Sequence, residues 1–317
     1  VLFRSGVPAT AYQASYLVKL NKYGEYVWSH AFASGSGSQN WAKGIDITAQ
    51  GKVFVTGFFN GTISIAGTTL DGLIGGRASF CAYMAQINAD GTLYSAYKLQ
   101  GAVAYNGLSG TYLFTHIDIN ASKIDEDGNI LVAGGVGGDL GGNGIDLDIK
   151  TPTVVSYIKG DYFIAKYDTA FNLLSHKKIT VTTGNTLRID QIEAKNDTVF
   201  VQGFSDEAAV NLNGTAAPAI TPINNGNYFT AAYTSNNLAC IWGFKLNVDK
   251  QRIRINPTGG LAFAWQAYGF NFDIDPTANT VLVSGGQNTN IFMAHFNTSS
   301  GTFLVLSSTP RQSLLPP

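Results

Sequence analysis

Two different strand-turn-strand units alternate along this chain, and the alternation limits its fold more than any other feature. Copies of the first unit, an aromatic and apolar strand followed by a turn and a second strand, begin at Tyr16, Phe80, Tyr162, Tyr228 and Ile291. Copies of the second surround Val53, Ile130, Val199 and Val281 and close with Gly57, Gly134, Gly203 and Gly285. Period-two alternation around turns of Gly, Asn or Asp predicts β-hairpins. Two hairpins in each period of about 65 residues predict a four-stranded antiparallel unit, and such units arranged radially form a β-propeller.

The composition agrees with an all-β fold and excludes several functional classes. The chain has 36 Gly, and its 21 acidic residues include only four glutamates, Glu25, Glu126, Glu193 and Glu207, which disfavours helix. A net charge of −1 without a Lys/Arg-rich run argues against a nucleic-acid partner. The apolar runs are far shorter than the roughly 20 residues of a membrane-spanning helix. Two cysteines are too few for a disulfide framework or a zinc site.

Counting hairpins gives four complete blades and one incomplete blade. We name the strands of the Val53-type hairpin A and B, and those of the Phe80-type hairpin C and D. The predicted propeller spans residues 11–309, with blades at about 44–99, 117–179, 188–246 and 271–308. The hairpin at 16–32 is a C/D half-blade without A/B strands before it, and 310–317 is a proline-containing tail. Two interpretations stay open: a ring that closes with a half-blade, or a part of a larger propeller.

The first residues differ in character from the rest of the chain. Leu2-Phe3-Arg4-Ser5 is the translation of a common sequencing-adapter string, and regular alternation begins only afterwards. We therefore expect 1–10 to be a non-native or disordered segment, as in the translation of an environmental DNA fragment. A natural N-terminal tail is the alternative.

The repeats also resemble a known family. VFVTGFFNGTISIAGTTL from Val53, FCAYMAQINADGTLYS from Phe80, IDEDGNILVAG from Ile124 and DYFIAKYD from Asp161 are similar to the SBBP-type β-propeller repeat, in degenerate form, over about Tyr16 to Leu306. This resemblance implies a secreted or cell-surface bacterial protein in which the repeats serve as scaffold or binding modules. It transfers no catalytic residue.

The distribution of long connections predicts a binding face. In an antiparallel meander the A–B and C–D turns emerge on one face, and the B–C and D–A connections emerge on the other. The long connections are nearly all of the second kind: 60–79, 100–116, 137–160, 205–226 and 247–270. Aromatic residues in or beside the D–A connections are the candidate ligand-binding residues: Trp41, Tyr105, Tyr112, Trp265 and Tyr268. Packing of these rings between blades is the alternative.

Candidate metal ligands lie in the Gly-rich connection 137–160. Asp139, Asp146 and Asp148 combine oxygen ligands with a permissive backbone, which would suit calcium, although exposed loops use the same residues. Asp125-Glu126-Asp127-Gly128-Asn129 resembles the start of a calcium loop, but Val136 stands where a bidentate Glu is needed, so a hairpin turn is favoured. The sequence otherwise predicts no cofactor.

Three functional hypotheses follow. The leading one is a non-enzymatic extracellular propeller that acts as an adhesion or scaffold module and binds a glycan or protein at the long-loop face. The second is a propeller hydrolase or lyase that acts on polysaccharide. The third is a purely structural repeat of a surface fibre. Nucleophile-elbow, zincin and P-loop motifs are absent from the sequence.

Overall fold

The structure of the 317-residue chain is a computed structural model. The structure describes residues 14–35, 37–74, 77–78, 80–101, 103–106, 111–138, 144–151, 154–155, 160–181, 187–206, 210–212, 227–246, 249–255, 260–267, 272–273, 282–283, 290–296 and 303–309. The predicted terminal segments, 1–10 and 310–317, lie outside these residues. All regular secondary structure in the described part is β-strand, and all strand pairs there are antiparallel, so the prediction of an all-β antiparallel fold is confirmed.

The chain divides into two compact units. The first comprises Val1–Asp161 and Ala165–Leu174, and the second comprises Tyr162–Ile164 and Ser175–Pro317. The boundary passes through strands β16 (Tyr162–Tyr167) and β17 (Leu173–Val181).

The first unit contains fifteen complete described strands. They are β1 Ser15–Leu20, β2 Tyr26–Ser34, β3 Gln39–Ile47, β4 Val53–Asn60, β5 Thr62–Ile65, β6 Thr68–Asp71, β7 Leu73–Ile74, β8 Arg77–Ala78, β9 Phe80–Ile87, β10 Leu93–Gly101, β11 Val103–Asn106, β12 Thr111–Ile124, β13 Ile130–Gly138, β14 Ile145–Asp146 and β15 Val154–Val155. Strands β3, β4, β9 and β10 are consecutive neighbours in one sheet, as expected for the A, B, C and D strands of the blade 44–99. Strands β11, β12 and β13 are neighbours in another.

The second unit contains two four-stranded sheets. Its complete strands are β18 Leu187–Lys195, β19 Thr198–Ser205, β20 Val210–Asn211, β21 Tyr228–Thr234, β22 Cys240–Leu246, β23 Asp249–Ile255, β24 Leu261–Ala267, β25 Phe272–Asp273, β26 Leu282–Val283, β27 Asn290–Phe296 and β28 Phe303–Thr309. The sheet β18-β19-β21-β22 coincides with the predicted blade 188–246. The other sheet has the order β23-β24-β27-β28.

That last sheet differs in its described strands from the composition predicted for the blade 271–308. The hairpin β23–β24, which the sequence placed in a D–A connection, supplies the first two strands, and the described residues on either side of the predicted turn, 272–273 and 282–283, form the separate ladder β25–β26. All seven residues of β24 have a partner on β27. The predicted hairpin carries Pro276, which lacks the N–H that a strand ladder needs.

The long connections are another correction, because their described parts contain strands. Strands β5 and β6 form a hairpin within 60–79, and β14 and β20 lie within 137–160 and 205–226. Each pairs with the outer D strand of the preceding repeat: β5 with β2, β14 with β10, and β20 with β17. The pairing segments share an apolar-polar-apolar pattern, Ile63-Ser64-Ile65, Ile145-Asp146-Leu147 and Val210-Asn211-Leu212, whose apolar members are buried. Burial of these side chains offsets the entropy of ordering the connections.

Candidate functional site

Four half-buried rings form a cluster in the first unit. Trp41 on β3 stacks on Phe58 of β4, with ring centroids 4.8 Å apart and planes 29° apart. Phe80, at the start of β9, lies 6.1 Å from Trp41 and 6.2 Å from Phe58. The His116 ring on β12 lies 5.1 Å from Phe80. We call Trp41, Phe58, Phe80 and His116 the aromatic cluster.

The topology of the strands explains why these rings meet. Trp41 and Phe58 are direct cross-strand partners on neighbouring antiparallel strands, where side chains of opposed residues touch. Trp41 is near the start of its strand, Phe58 is near the end of its strand, and Phe80 begins the next. All three therefore lie at the end of the sheet away from the A–B turn at Gly51 and the C–D turn at Gly91. This is the end that carries the B–C and D–A connections.

Polar side chains border the aromatic cluster because β12 alternates strictly. Ile117 and Ile119 are fully buried, whereas His116, Asp118 and Asn120 are half-buried. Residues i and i+2 of a strand project from the same face, so these three polar side chains share one face of β12. None of the three was among the predicted site residues, although the alternation in Thr115-His116-Ile117-Asp118-Ile119-Asn120 indicates their shared face.

Asp118 is the acidic group of this site. Its Oδ1 accepts a hydrogen bond from the backbone N–H of Gly135, at 2.9 Å. Burial raises the pKa of Asp118, and hydrogen bonds from Gly135 and the Asn120 side chain and the charge of Lys43 oppose the shift. The Lys43 ammonium lies 5.3 Å from the Phe58 ring centroid, within cation–π range. The site thus combines apolar ring faces, one carboxyl group and one cation.

A bulge that recurs in the A strands positions Lys43 and Asn120. The register of the A–B pairing shifts between Ala42 and Gly44, between Ile119 and Ala121, and between Ile189 and Gln191. Each bulge inserts one extra residue in the A strand: Lys43, Asn120 or Asp190. Such an insertion bends the strand and changes the direction of its side chains, and bulges of this kind are common near functional sites.

The glycines that close the B strands make room for this bulge. A Cβ at Gly57 would overlap the carbonyl oxygen of Trp41, and a Cβ at Gly203 would overlap that of Arg188. The repeated Gly of the second sequence unit is therefore required by the close approach of the A strand.

The remaining predicted ligand-binding residues are distributed as follows. Tyr105 and Tyr112 are partners in the β11–β12 ladder, but their side chains are outside the described part of the structure. Trp265 lies within β24, in the second unit, and not in a connection as its sequence context suggested, because β24 is a core strand of its sheet. Tyr268 lies outside the described residues.

The predicted calcium ligands show turn geometry where they are described. Asp146 Oδ1 accepts the N–H of Asp148, and Asp148 Oδ1 accepts those of Lys150 and Thr151. Asp139 lies outside the described residues. Within the described ranges, no three His, Cys, Asp or Glu side chains come together in a way that could hold a metal ion.

The calcium-like sequence at Asp125 forms the hairpin turn that the sequence analysis favoured. Its carboxylate accepts hydrogen bonds from the N–H groups of Asp127 and Asn129 and from the Asn129 amide. Asp125 also pairs with the buried Lys166, at 2.9 Å. Asp168 makes the same contacts with Ala170 and Asn172 in the equivalent C–D turn, so the motif is a turn device of the repeats.

Ion pairs connect neighbouring A strands in both units. Lys123 Nζ on β12 lies 3.0 Å from Asp46 Oδ2 on β3, and Arg254 Nη1 on β23 lies 2.6 Å from Glu193 Oε1 on β18. All four residues occupy the same register position opposite their B strands. Each pair consists of one carboxylate and one cation. Glycoside hydrolysis requires two carboxyl groups on either side of the scissile bond, so these pairs do not have that catalytic arrangement.

The described part of the chain contains no helix with the length and apolar character needed to cross a membrane.

Comparisons with known proteins give only distant structural similarity. No family model matches the sequence, and no curated protein matches it. Among solved structures, an exotype rhamnogalacturonan lyase, YesX, aligns at 11% identity over 85% of this chain and 50% of its own, with a TM-score of 0.31. A rhamnogalacturonan lyase from Bacillus licheniformis aligns at 12% identity over 86% of this chain and 53% of its own, with a TM-score of 0.33. The rhamnogalacturonan lyase YesW aligns at 12% identity over 86% of this chain and 52% of its own, with a TM-score of 0.31. This chain thus spans about half of the length of these lyases, and the similarity assigns no function.

Proposed function

We propose that this protein is a non-enzymatic, extracellular glycan-binding module, and that its ligand binds at the aromatic cluster. The single observation that carries the proposal is the set of half-buried rings, Trp41, Phe58, Phe80 and His116, beside Asp118 and Lys43. Sugar rings present apolar C–H faces that stack on aromatic rings, and their hydroxyl groups need nearby hydrogen-bonding partners. Concave apolar surfaces with a few polar groups are typical of small-ligand sites.

The proposal includes the architecture. We infer that the four-stranded antiparallel sheets are blades of a β-propeller of the SBBP type, secreted or displayed on a bacterial surface. The repeated A–B–C–D order in β3-β4-β9-β10 and β18-β19-β21-β22 supports this inference. A crystal structure tests it: blades that share a common axis would support a propeller, and stacked sheets without such an axis would reject it.

A glycan array followed by titration tests the proposed binding. We expect the purified chain to retain one or more oligosaccharides, and titration of the best one to change tryptophan fluorescence. Trp41→Ala should weaken binding by about tenfold or more, because it removes a central ring of the cluster. Tyr94→Ala is the matched control, since Tyr94 is an exposed aromatic residue that follows the C–D turn, at the other end of the sheet. Equal losses in the two variants, or no glycan retained by the array, would reject the proposal. Binding to protein partners alone would favour a protein ligand.

Asp118 favours one second candidate, a polysaccharide hydrolase or lyase. A carboxyl group whose pKa is raised by burial can hold a proton for general acid catalysis. Release of reducing ends or unsaturated products from a panel of polysaccharides measures this activity. Activity that Asp118→Asn abolishes, with glycan binding retained, would establish the enzyme and reject the non-enzymatic proposal.

Calcium is a separate hypothesis for the connection 137–160. Its test is a calorimetric titration of EDTA-treated protein with CaCl₂, in which Asp146→Asn and Asp148→Asn would reduce the binding heat if these residues are ligands.

A further inference from the structure

One position of the A strand differs in chemistry from repeat to repeat. Each A strand has a residue opposite the one that follows the repeated glycine of its B strand, and in three repeats these are Trp41, Asp118 and Arg188. By contrast, residues with a structural role keep their type in the repeats, as the turn residues Asp125 and Asp168 do. A position that changes between an aromatic, an acidic and a basic side chain, at the end of the sheet that carries the long connections, is typical of recognition.

In the second unit this position forms a bidentate ion pair. The guanidinium of Arg188 donates from Nε and Nη2 to the two carboxylate oxygens of Asp190, with Nη2 3.1 Å from Oδ2. Asp190 is the extra residue of the A-strand bulge. The hydrogen bond with Asp190 raises the pKa of Arg188, partial burial opposes the shift, and the charge of Asp190 and the Tyr228 side chain add to it. Such planar pairs have a defined orientation.

Two aromatic rings support the guanidinium. Arg188 Cζ lies 5.4 Å from the ring centroid of Phe204, within cation–π range. Tyr228, the cross-strand partner of Phe204, meets that ring edge-on at 5.4 Å and 75°, and its side chain also hydrogen-bonds Arg188. Asp190, Phe204 and Tyr228 therefore hold the Arg188 head group in one place.

The ion pair keeps hydrogen-bonding capacity despite these contacts. The Arg188 side chain is 47% exposed, and that of Asp190 is 16% exposed. A guanidinium has five N–H donors, and within the described residues two bonds to Asp190 and one with Tyr228 use three of them. A carboxylate can accept about four hydrogen bonds, and within the same residues Asp190 accepts two from Arg188.

A donor and an acceptor side by side match two neighbouring hydroxyl groups of a sugar. Each hydroxyl both donates and accepts, so it can accept from Arg188 or donate to Asp190. The charges of the pair offset each other, and a neutral ligand leaves the pair intact. A sulfate or carboxylate would instead have to compete with Asp190 for the guanidinium.

We propose that Arg188 and Asp190, held against Phe204 and Tyr228, form a second glycan subsite that binds two neighbouring hydroxyl groups of a neutral sugar. The proposal rests on the glycan-binding function proposed above, but its residues belong to the second unit, whereas Trp41 belongs to the first. Arg188 and Asp190 bind the hydroxyl groups, and the two rings position Arg188.

The probes are the methyl glycosides of D-glucose, D-galactose, D-mannose and L-fucose, with sodium sulfate as the anionic probe. The readout is proton–nitrogen NMR of the arginine side chains in the full chain, in which Arg188→Lys identifies the Arg188 Nε–H signal by its disappearance. We expect at least one glycoside to shift this signal saturably, and sulfate to leave it unchanged.

Two carboxylate-to-amide substitutions on the same strand separate binding from a general effect on the fold. Asp190→Asn should weaken binding of the active glycoside by about tenfold or more, because it removes a charged acceptor. Glu193→Gln is the matched control, since Glu193 pairs with Arg254 elsewhere on β18. It should leave the affinity for the glycoside unchanged.

The proposal is overturned if none of the four glycosides shifts the Arg188 signal, or if Asp190→Asn and Glu193→Gln affect the affinity equally. A shift caused by sulfate alone would also overturn it and would assign the pair to an anionic ligand. Trp41→Ala should leave this titration unchanged. Failure of binding at the aromatic cluster with the Arg188 titration intact would therefore reject only the proposed location of the first site, and the reverse result would reject only the second subsite.

Discussion

The substitution Gly57→Ala tests the link between the repeated glycine, the A-strand bulge and the aromatic cluster. The added methyl group would overlap the carbonyl oxygen of Trp41 and would lie 2.8 Å from ring atoms of Tyr83, where ordinary contacts begin at 3.4 Å. The Trp41 oxygen belongs to the backbone and Tyr83 is fully buried, so neither can move aside cheaply. Strand β3 must therefore separate from β4 around the bulge.

The expected cost follows from this geometry. Loss of two ladder hydrogen bonds costs about 1 kcal/mol each. Overpacking of the Tyr83 ring adds about 1–3 kcal/mol, and the sum predicts a destabilisation of about 3–5 kcal/mol. For a unit of this size that corresponds to a fall in Tm of roughly 6–20 °C. Because β3 carries Trp41, glycan affinity should fall in the same variant.

Gly137→Ala is the control for this prediction. Gly137 is also a strand glycine, but a Cβ there would meet only the Cβ of His116, at an ordinary 3.7 Å. We expect its unfolding free energy to change by less than about 0.5 kcal/mol. Urea denaturation followed by circular dichroism measures both variants. Equal unfolding free energies for Gly57→Ala and Gly137→Ala would contradict the predicted clash.

Three further predictions concern buried groups. Burial raises the pKa of Asp118 above the unfolded value of 3.8, so stability should fall as the pH rises through that raised pKa, and Asp118→Asn should abolish this fall in urea titrations between about pH 4 and 7. Phe171 has a φ of +64° where equivalent turns have Gly, and it packs on Phe54 and Tyr97. Phe171→Gly should relieve about 1–2 kcal/mol of strain but lose about 3–5 kcal/mol of packing, a net loss of about 1–4 kcal/mol in thermal unfolding; a stabilised variant would contradict this. Burial raises the pKa of the Cys81 thiol from 9.0 to about 11, so the native protein should resist a thiol reagent at neutral pH and lose stability between these two pH values; rapid labelling would contradict burial.

Sequence periodicity was sufficient for the local structure. Alternation and turn residues identified most of the long strands, because both depend on residues close in the chain. The Asx-type turns were readable for the same reason: the side chain of the first residue accepts hydrogen bonds from N–H groups two and four residues later, as at Asp125 and Asp168. The glycines of the B strands were visible as a repeat, but their steric role was not.

The pairing of strands that are distant in the sequence could be identified only from the tertiary structure. Strand β24 pairs with β27 along its whole length, and no local pattern indicates which of several apolar strands will be the neighbour of β27. The connections between strands looked like loops because their short apolar-polar-apolar segments become strands only beside a D strand such as β2 or β10.

The sequence by itself determined the all-β class, the hairpin repeat and the end of the sheet on which long connections gather, since alternation and chain direction fix these locally. Only the tertiary structure decided that Trp41 meets Phe58, Phe80 and His116, and that Asp118 and Lys43 border them. It also decided that, among the described strands, β1 pairs only with β2. The physical reason is that these ring contacts and this burial involve residues that are far apart in the sequence. Their geometry depends on the packing of whole strands, which no local pattern specifies.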